Sequence, residues 1–313
     1  MFVEQSIYQE KDEDGSWDLI GKITASNETN GGIFGDSIGF SNDGRIVAVA
    51  DKYADQVNTD VENTGAVQIY QEINGVWEEM GLPIFGSEKD ELFGWSVTLS
   101  GDGSRVAASS LGSNDQPGKI RTFEFDGERE DWEEITPSLA GESMREFFGT
   151  SLELSDDGSI LAVGAPGFSK DGQEAGIGIV RSYQFNEIQK DWSFFGQPLE
   201  GENAFDAFGS SLSLNSAGDI VAIGAPENDN FCDNCGQIQV FKHAGGTWNN
   251  TGSAVGMSEI GSGQFGYSVA LSGAGDRLVG AAPYTIQDRY WSKVGEVLVF
   301  DSTVNATEGS SFM

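Results

Sequence analysis

A chain of 313 residues with 38% hydrophobic content carries enough apolar side chain for a substantial core. Its 50 acidic against 17 basic side chains give a formal charge of -33, which excludes a phosphate-tracking nucleic-acid binder, because such surfaces concentrate Lys and Arg. No apolar run has the length of a membrane span, residues 1–20 lack the basic and apolar regions of a secretory signal, and 43 glycines with 20 phenylalanines favour short strands over long helices.

The first predicted elements are two strands, Ser6–Tyr8 and Trp17–Ile23, separated by Asp12-Glu13-Asp14-Gly15. The spacing of Asp12, Asp14 and Asp18 partly suits a calcium loop, and a solvated hairpin turn accounts for it equally well. From there one pattern returns five times. Phe-Gly pairs stand at Phe34-Gly35, Phe93-Gly94, Phe148-Gly149, Phe208-Gly209 and Phe265-Gly266, at intervals of 59, 55, 60 and 57 residues. Trp17, Trp77, Trp132, Trp192 and Trp248 precede them by 16 or 17 residues, so two independent landmarks keep one phase.

After each Phe-Gly, two apolar segments flank a glycine turn, which is the pattern of a β-hairpin. These are Ser37–Phe40 with Ile46–Ala50, Val97–Leu99 with Val106–Ala108, Leu152–Leu154 with Ile160–Val163, Leu212–Leu214 with Ile220–Ile223, and Val269–Leu271 with Leu278–Val279. A third strand ending in an aromatic follows at Ala66–Tyr70, Lys119–Phe123, Ile179–Tyr183, Gln237–Phe241 and Glu296–Phe300, and the tryptophan segment supplies a fourth. The period predicts an all-β chain, a β-propeller of five four-stranded blades, with the Phe, Trp and third-strand aromatics packed between blades. The repeats run near 34–92, 93–147, 148–207, 208–264 and 265–301 in a single domain over 1–301, followed by a tail, 302–313. The N-terminal segment, within 3–23, is expected to close the last blade. One third-strand segment is left over, so membership of a six- or seven-bladed ring stays open.

The repeats resemble the FG-GAP family, whose best-known members form the propeller of integrin α subunits. The second half of that motif falls at Gly164-Ala165-Pro166, Gly224-Ala225-Pro226 and Ala281-Ala282-Pro283, while the first two copies depart from it with Ala50-Asp51-Lys52 and Ser109-Ser110-Leu111. The resemblance implies a propeller with an adhesion-type role. It also implies calcium in D-x-D-x-D-G hairpin turns, but the turns here, such as Ser41-Asn42-Asp43-Gly44 and Ser216-Ala217-Gly218, hold too few carboxylates. Asp-Gly is read as a turn former, and no cofactor is expected.

The single histidine, His243, has no nucleophile elbow or metal-ligand partner in the sequence and reads as a surface turn residue. Cys232 and Cys235 form the only C-x-x-C and read as a local disulfide in the loop between the second and third strands of their blade, which implies an oxidising compartment. Sequons at Asn27, Asn249 and Asn305 fall in segments read as loops or tail, and they permit glycosylation. One end of the blades is expected to form an acidic loop face with Glu88, Asp90, Glu91, Glu142, Glu146, Glu202, Asp206, Asp60, Asp171 and Asp229. Tyr53, Asp55, Phe231, Tyr284, Arg289, Tyr290 and Trp291 are the binding residues expected there, being of the types that anchor interfaces on loops. These features predict a non-catalytic recognition propeller, extracellular, cell-surface or luminal, that binds a protein or glycan and is not an enzyme. A structural subunit of a larger assembly is the alternative, and an enzyme acting on glycans through channel carboxylates ranks below both.

Overall fold

The computed structural model describes residues 4–10, 16–25, 29–30, 32–57, 59–112, 116–170, 176–230, 232–255, 263–285 and 295–301. All regular structure among them is β, in two compact units, Met1–Ala140 and Gly141–Met313. The binding residues Phe231, Arg289, Tyr290 and Trp291, the acids Asp12, Asp14 and Asp171, the sequons at Asn27 and Asn305, and the tail 302–313 lie outside the described residues.

In the first unit, Glu4–Glu10 and Trp17–Thr24 form an antiparallel ribbon. The first blade then orders Ser37–Phe40, Ile46–Asp51, Ala66–Ile73 and Val76–Glu79 as a meander, and the short strand Ile84–Phe85 pairs back onto the third. The second blade repeats the plan with Phe93–Leu99, Arg105–Ser110, Lys119–Asp126, Asp131–Glu134 and Leu139–Ala140. In the second unit, the third blade comprises Ser151–Leu154, Ile160–Ala165, Ile179–Asn186, Asp191–Phe194 and Leu199–Glu200, and the fourth comprises Ser211–Leu214, Ile220–Ala225, Gln237–Ala244 and Thr247–Val255. The fifth has three strands among the described residues, Ser268–Leu271, Arg277–Ala282 and Glu296–Asp301. Trp17–Thr24 pairs with Glu4–Glu10 in a sheet of their own, so the described ladders do not contain the closing strand expected for the last blade.

The sequence pattern explains the layering. Second strands are mostly Ala, Val, Ile, Leu, Gly and Ser, and those at Ile46–Asp51, Arg105–Ser110 and Ile160–Ala165 are buried at every position. Small and β-branched side chains let neighbouring sheets approach on both faces. The phenylalanine of each Phe-Gly pair is buried and meets the third-strand aromatic of its own blade edge to face: Phe34–Tyr70, Phe93–Phe123, Phe148–Tyr183, Phe208–Phe241 and Phe265–Phe300 all have centroids 6.1–6.4 Å apart. The following glycine must be glycine, because φ lies between 87° and 97° at all five and a Cβ at Gly94 would sit 2.9 Å from the Ala50 methyl group.

Trp132, Trp192 and Trp248 are buried packing residues. Trp17 is 63% exposed on the ribbon, where no preceding blade in its unit covers it. His243 is not a turn residue. It lies within Gln237–Ala244, stacked on Phe195 at 3.8 Å and edge-on to Trp248, which spends its ring as packing surface. Asn249 likewise lies in a strand, Thr247–Val255, with its side chain exposed.

Candidate active site

Each loop that leads into a Phe-Gly pair in the second, third and fourth blades carries an acid two residues before the phenylalanine: Glu91, Glu146 and Asp206. Left-handed residues flank it on both sides, namely Asp90 and Leu92, Arg145 and Phe147, and Phe205 and Ala207, with φ between 54° and 69°. Side chains resist that conformation, so the loop needs an internal tie. The acid is the tie. Glu91 accepts from Ser87 N, Glu88 N and Ser110 Oγ, Glu146 from Glu142 N, Ser143 N and the Arg181 guanidinium, and Asp206 from Asn203 N and Asn228 Nδ2. These three were expected on an acidic binding face. They are instead 8%, 0% and 3% exposed, turned inward to hold main-chain donors.

The first blade departs from this plan. Gly32 stands where the acid would be, and the carboxylate comes from Asp51 at the end of the second strand, accepting from Ile33 N at 2.7 Å and Tyr53 N at 3.2 Å. A Cβ on Gly32 would collide with it, so the two substitutions are coupled. Asp51 is buried, its Oδ2 has no hydrogen-bond partner, and burial, assisted by the nearby Asp36 and Asp55, pushes its carboxyl above the usual range.

Beside it a polar cluster opens to solvent. Lys52 forms an ion pair with Asp36 and lies 4.3 Å from the centre of the Trp95 ring and 5.5 Å from that of Tyr53. Asp36 and Trp95 follow the Phe-Gly pairs of the first and second blades, and Lys52 and Tyr53 follow the first blade's second strand, so adjacent blades bring all four together. The arrangement offers a held cation, a carboxylate and two partly exposed aromatic faces, which suits a neutral polyhydroxylated ligand with a polar carbonyl. Of the residues expected to bind, Tyr53 belongs to this cluster. Asp55 supports the loop beside it by accepting from Asn63 N. Tyr284 sits in the other unit, edge-on to the exposed Tyr267 at 6.4 Å. Asp36, Lys52 and Trp95 carry no mark of a site in the sequence, although Lys52 occupies a position where three of the other copies carry proline and the copy departs from its motif.

The second unit holds a carboxyl of a different kind. Glu153 projects from the first strand of the third blade, accepts from Leu214 N at 2.8 Å and from Ser213 of the fourth blade, and burial pushes its carboxyl up to about 7. The unfolded value is near 4.5, so between pH 4.5 and 7 the folded chain binds more protons than the unfolded one. This penalty is absent below that window and complete above it. Glu153→Gln keeps an acceptor for Leu214 N–H and removes the charge. The variant is expected to be more stable than the parent by about 2–3 kcal/mol at pH 8 and equal to it at pH 4.5, in urea titrations at the two pH values.

Among the described residues no three His, Cys, Asp or Glu side chains cluster closely enough to hold a metal ion. The hairpin-turn carboxylates Asp43, Asp102 and Asp157 each accept from a serine hydroxyl two residues earlier at 2.7 Å, and from the main chain two residues on, which builds the turn. Cys232 and Cys235 are disulfide-bonded between the second and third strands of the fourth blade.

No family model matches the sequence. No curated protein matches it either. Solved structures do match its fold. A periplasmic gluconolactonase from Pseudomonas aeruginosa aligns at TM-score 0.57 and 15% identity, covering 94% of this chain and 78% of that one. Provisionally assigned 6-phosphogluconolactonases from Bacteroides uniformis and Bacteroides fragilis align at TM-scores 0.60 and 0.56, with 11% and 12% identity, covering 97% and 94% of this chain and 76% and 77% of theirs. These neighbours overturn the expectation of a non-catalytic, adhesion-type recognition propeller, since the proteins that share this architecture over nearly the whole chain are named as enzymes. The fold that this likeness establishes is an all-β, five-bladed β-propeller.

Proposed function

We propose that the chain is a hydrolase that opens a sugar-derived lactone, with Asp36, Lys52 and Trp95 as its working residues. The reading is supported by the three lactonase neighbours, and the observation that carries it is the partly buried Asp36–Lys52 ion pair set against the Trp95 ring, where the first two blades pack. Trp95 would receive the apolar face of the sugar ring. A water molecule attacks the lactone carbonyl carbon, and Asp36 accepts the water's proton. The Lys52 ammonium group stabilises the negative charge that develops on the carbonyl oxygen. When the ring C–O bond breaks, the proton passes from Asp36 to the departing ring oxygen and leaves an open hydroxy acid. The Cys232–Cys235 disulfide supports a compartment outside the reducing cytosol.

Acid release in a pH-stat, corrected for spontaneous ring opening, tests this reading with D-glucono-1,5-lactone and with δ-valerolactone, which lacks the hydroxyls. The gluconolactone is expected to be opened more efficiently, because its ring hydroxyls can make polar contacts with the site that δ-valerolactone cannot make. Equal rates would remove the sugar from the proposal. Background rates with both would remove the reaction.

A further inference from the structure

The segments around the Asp36–Lys52 pair are built round anions of their own. Main-chain N–H groups gathered in tight turns commonly cradle a phosphate. Here such donors are taken by side-chain carboxylates: Ile33 N and Tyr53 N by Asp51, Asn63 N by Asp55, and Ser87 N and Glu88 N by Glu91. The Asn63 side-chain amide is spent in the same way, donating to Asp90 Oδ1 at 2.8 Å.

The cations are spent as well. Lys52 pairs with Asp36, Lys89 with Glu62 at 2.6 Å, and Lys119 lies 3.5 Å from Glu91 Oε1, so each lysine among the described residues of 51–65, 86–92 and 110–119 has a carboxylate beside it. The acids also feel one another. Burial first, and then Asp36 and Asp55, push the Asp51 carboxyl above its usual range. An arriving phosphate finds donors and cations already engaged, and it adds negative charge to a surface that is already negative. We infer that this site takes uncharged lactones and rejects those that carry a phosphate, with the carboxylates of these loops setting the choice. The inference rests on the lactone-opening reading and names its substrate class. The repulsion acts on bound substrate and transition state alike, so it belongs in KM, and it weakens as salt screens the exposed charges.

The probes are D-glucono-1,5-lactone and its 6-phosphate, with ring opening by the full chain followed at pH 7 and corrected for the spontaneous reaction. The free lactone is expected to show at least about 10-fold the kcat/KM of the phosphorylated one, with the difference in KM. Raising the salt from about 0.02 M to about 0.5 M is expected to narrow that gap at least about 2-fold. Glu62→Lys changes an exposed side chain outside the Asp36, Lys52 and Trp95 set and releases Lys89 from its partner. It is expected to lower KM for the phosphorylated lactone about 3-fold and to leave the free lactone unchanged. Equal or better use of the phosphorylated lactone, with the free lactone opened well above buffer, would overturn the substrate class and leave the reaction in place. A preference that neither salt nor Glu62→Lys moves would overturn the role of the carboxylates. Background rates with both lactones would overturn the reaction and this inference with it.

Discussion

Glu146→Gln is expected to destabilise the Gly141–Met313 unit by about 3–5 kcal/mol, read as a lowered urea midpoint with an unchanged slope. The carboxylate is fully buried and is the close partner of Arg181, whose guanidinium is 3% exposed and lies 5.7 Å and 5.4 Å from the rings of Phe148 and Phe168. Removing the negative charge strands a cation in a nearly dry site. The remaining acid, Glu142, is 3.6 Å away, mostly exposed and screened by water, so it recovers little of the lost interaction. The same carboxylate accepts from Glu142 N and Ser143 N, and it thereby holds the left-handed pair Arg145 and Phe147 in place. A double variant, Glu146→Gln with Arg181→Met, separates the two roles. If the stranded charge dominates, the double variant recovers more than half of the loss, because a buried pair replaced by apolar volume costs little. A loss below about 1 kcal/mol for Glu146→Gln alone would show that the loop does not depend on this tie.

Lys52→Met is expected to lower kcat/KM for lactone opening by about 10²–10³-fold, the range seen when one stabiliser of a developing oxyanion is removed. Methionine retains the aliphatic stem over Trp95 and loses the charge, so the fall belongs in kcat. Trp95→Ala is expected to act on the other parameter, raising KM about 10-fold with kcat nearly preserved, because stacking holds substrate and transition state alike. A merely structural role for Lys52 would move both parameters together and lower the melting temperature. The split between the two variants therefore separates chemistry from folding.

The blade plan was legible because it is written twice, in the Phe-Gly phase and in the tryptophan phase. Ser37–Phe40 was located to the residue, and Ile46–Ala50 fell one residue short of Ile46–Asp51. The acids were not legible. Glu91 and Glu146 look like surface carboxylates in a chain with 50 of them, and only the left-handed backbone beside them shows why they turn inward. The cluster at Lys52 was hidden for another reason. Asp36 and Trp95 are 59 residues apart, and their meeting depends on how two blades pack rather than on any local spacing. What the sequence offered was a departure from its own repeat, with Gly32 replacing the acid and Asp51-Lys52 replacing the small-residue ending. Departures from a repeat are where a side chain has been released from packing and can serve another purpose.

The measurement that bears most directly on the proposed activity is the initial rate of acid release from D-glucono-1,5-lactone at pH 7, compared for the wild-type chain, Asp36→Asn and buffer alone. Loss of the proton acceptor is expected to cost about 10²–10⁴-fold, so the wild type should stand far above buffer and Asp36→Asn close to it, with both proteins unfolding at the same urea concentration. A wild-type rate no higher than buffer, or an Asp36→Asn rate equal to the wild type, would contradict the assignment of lactone opening to this site.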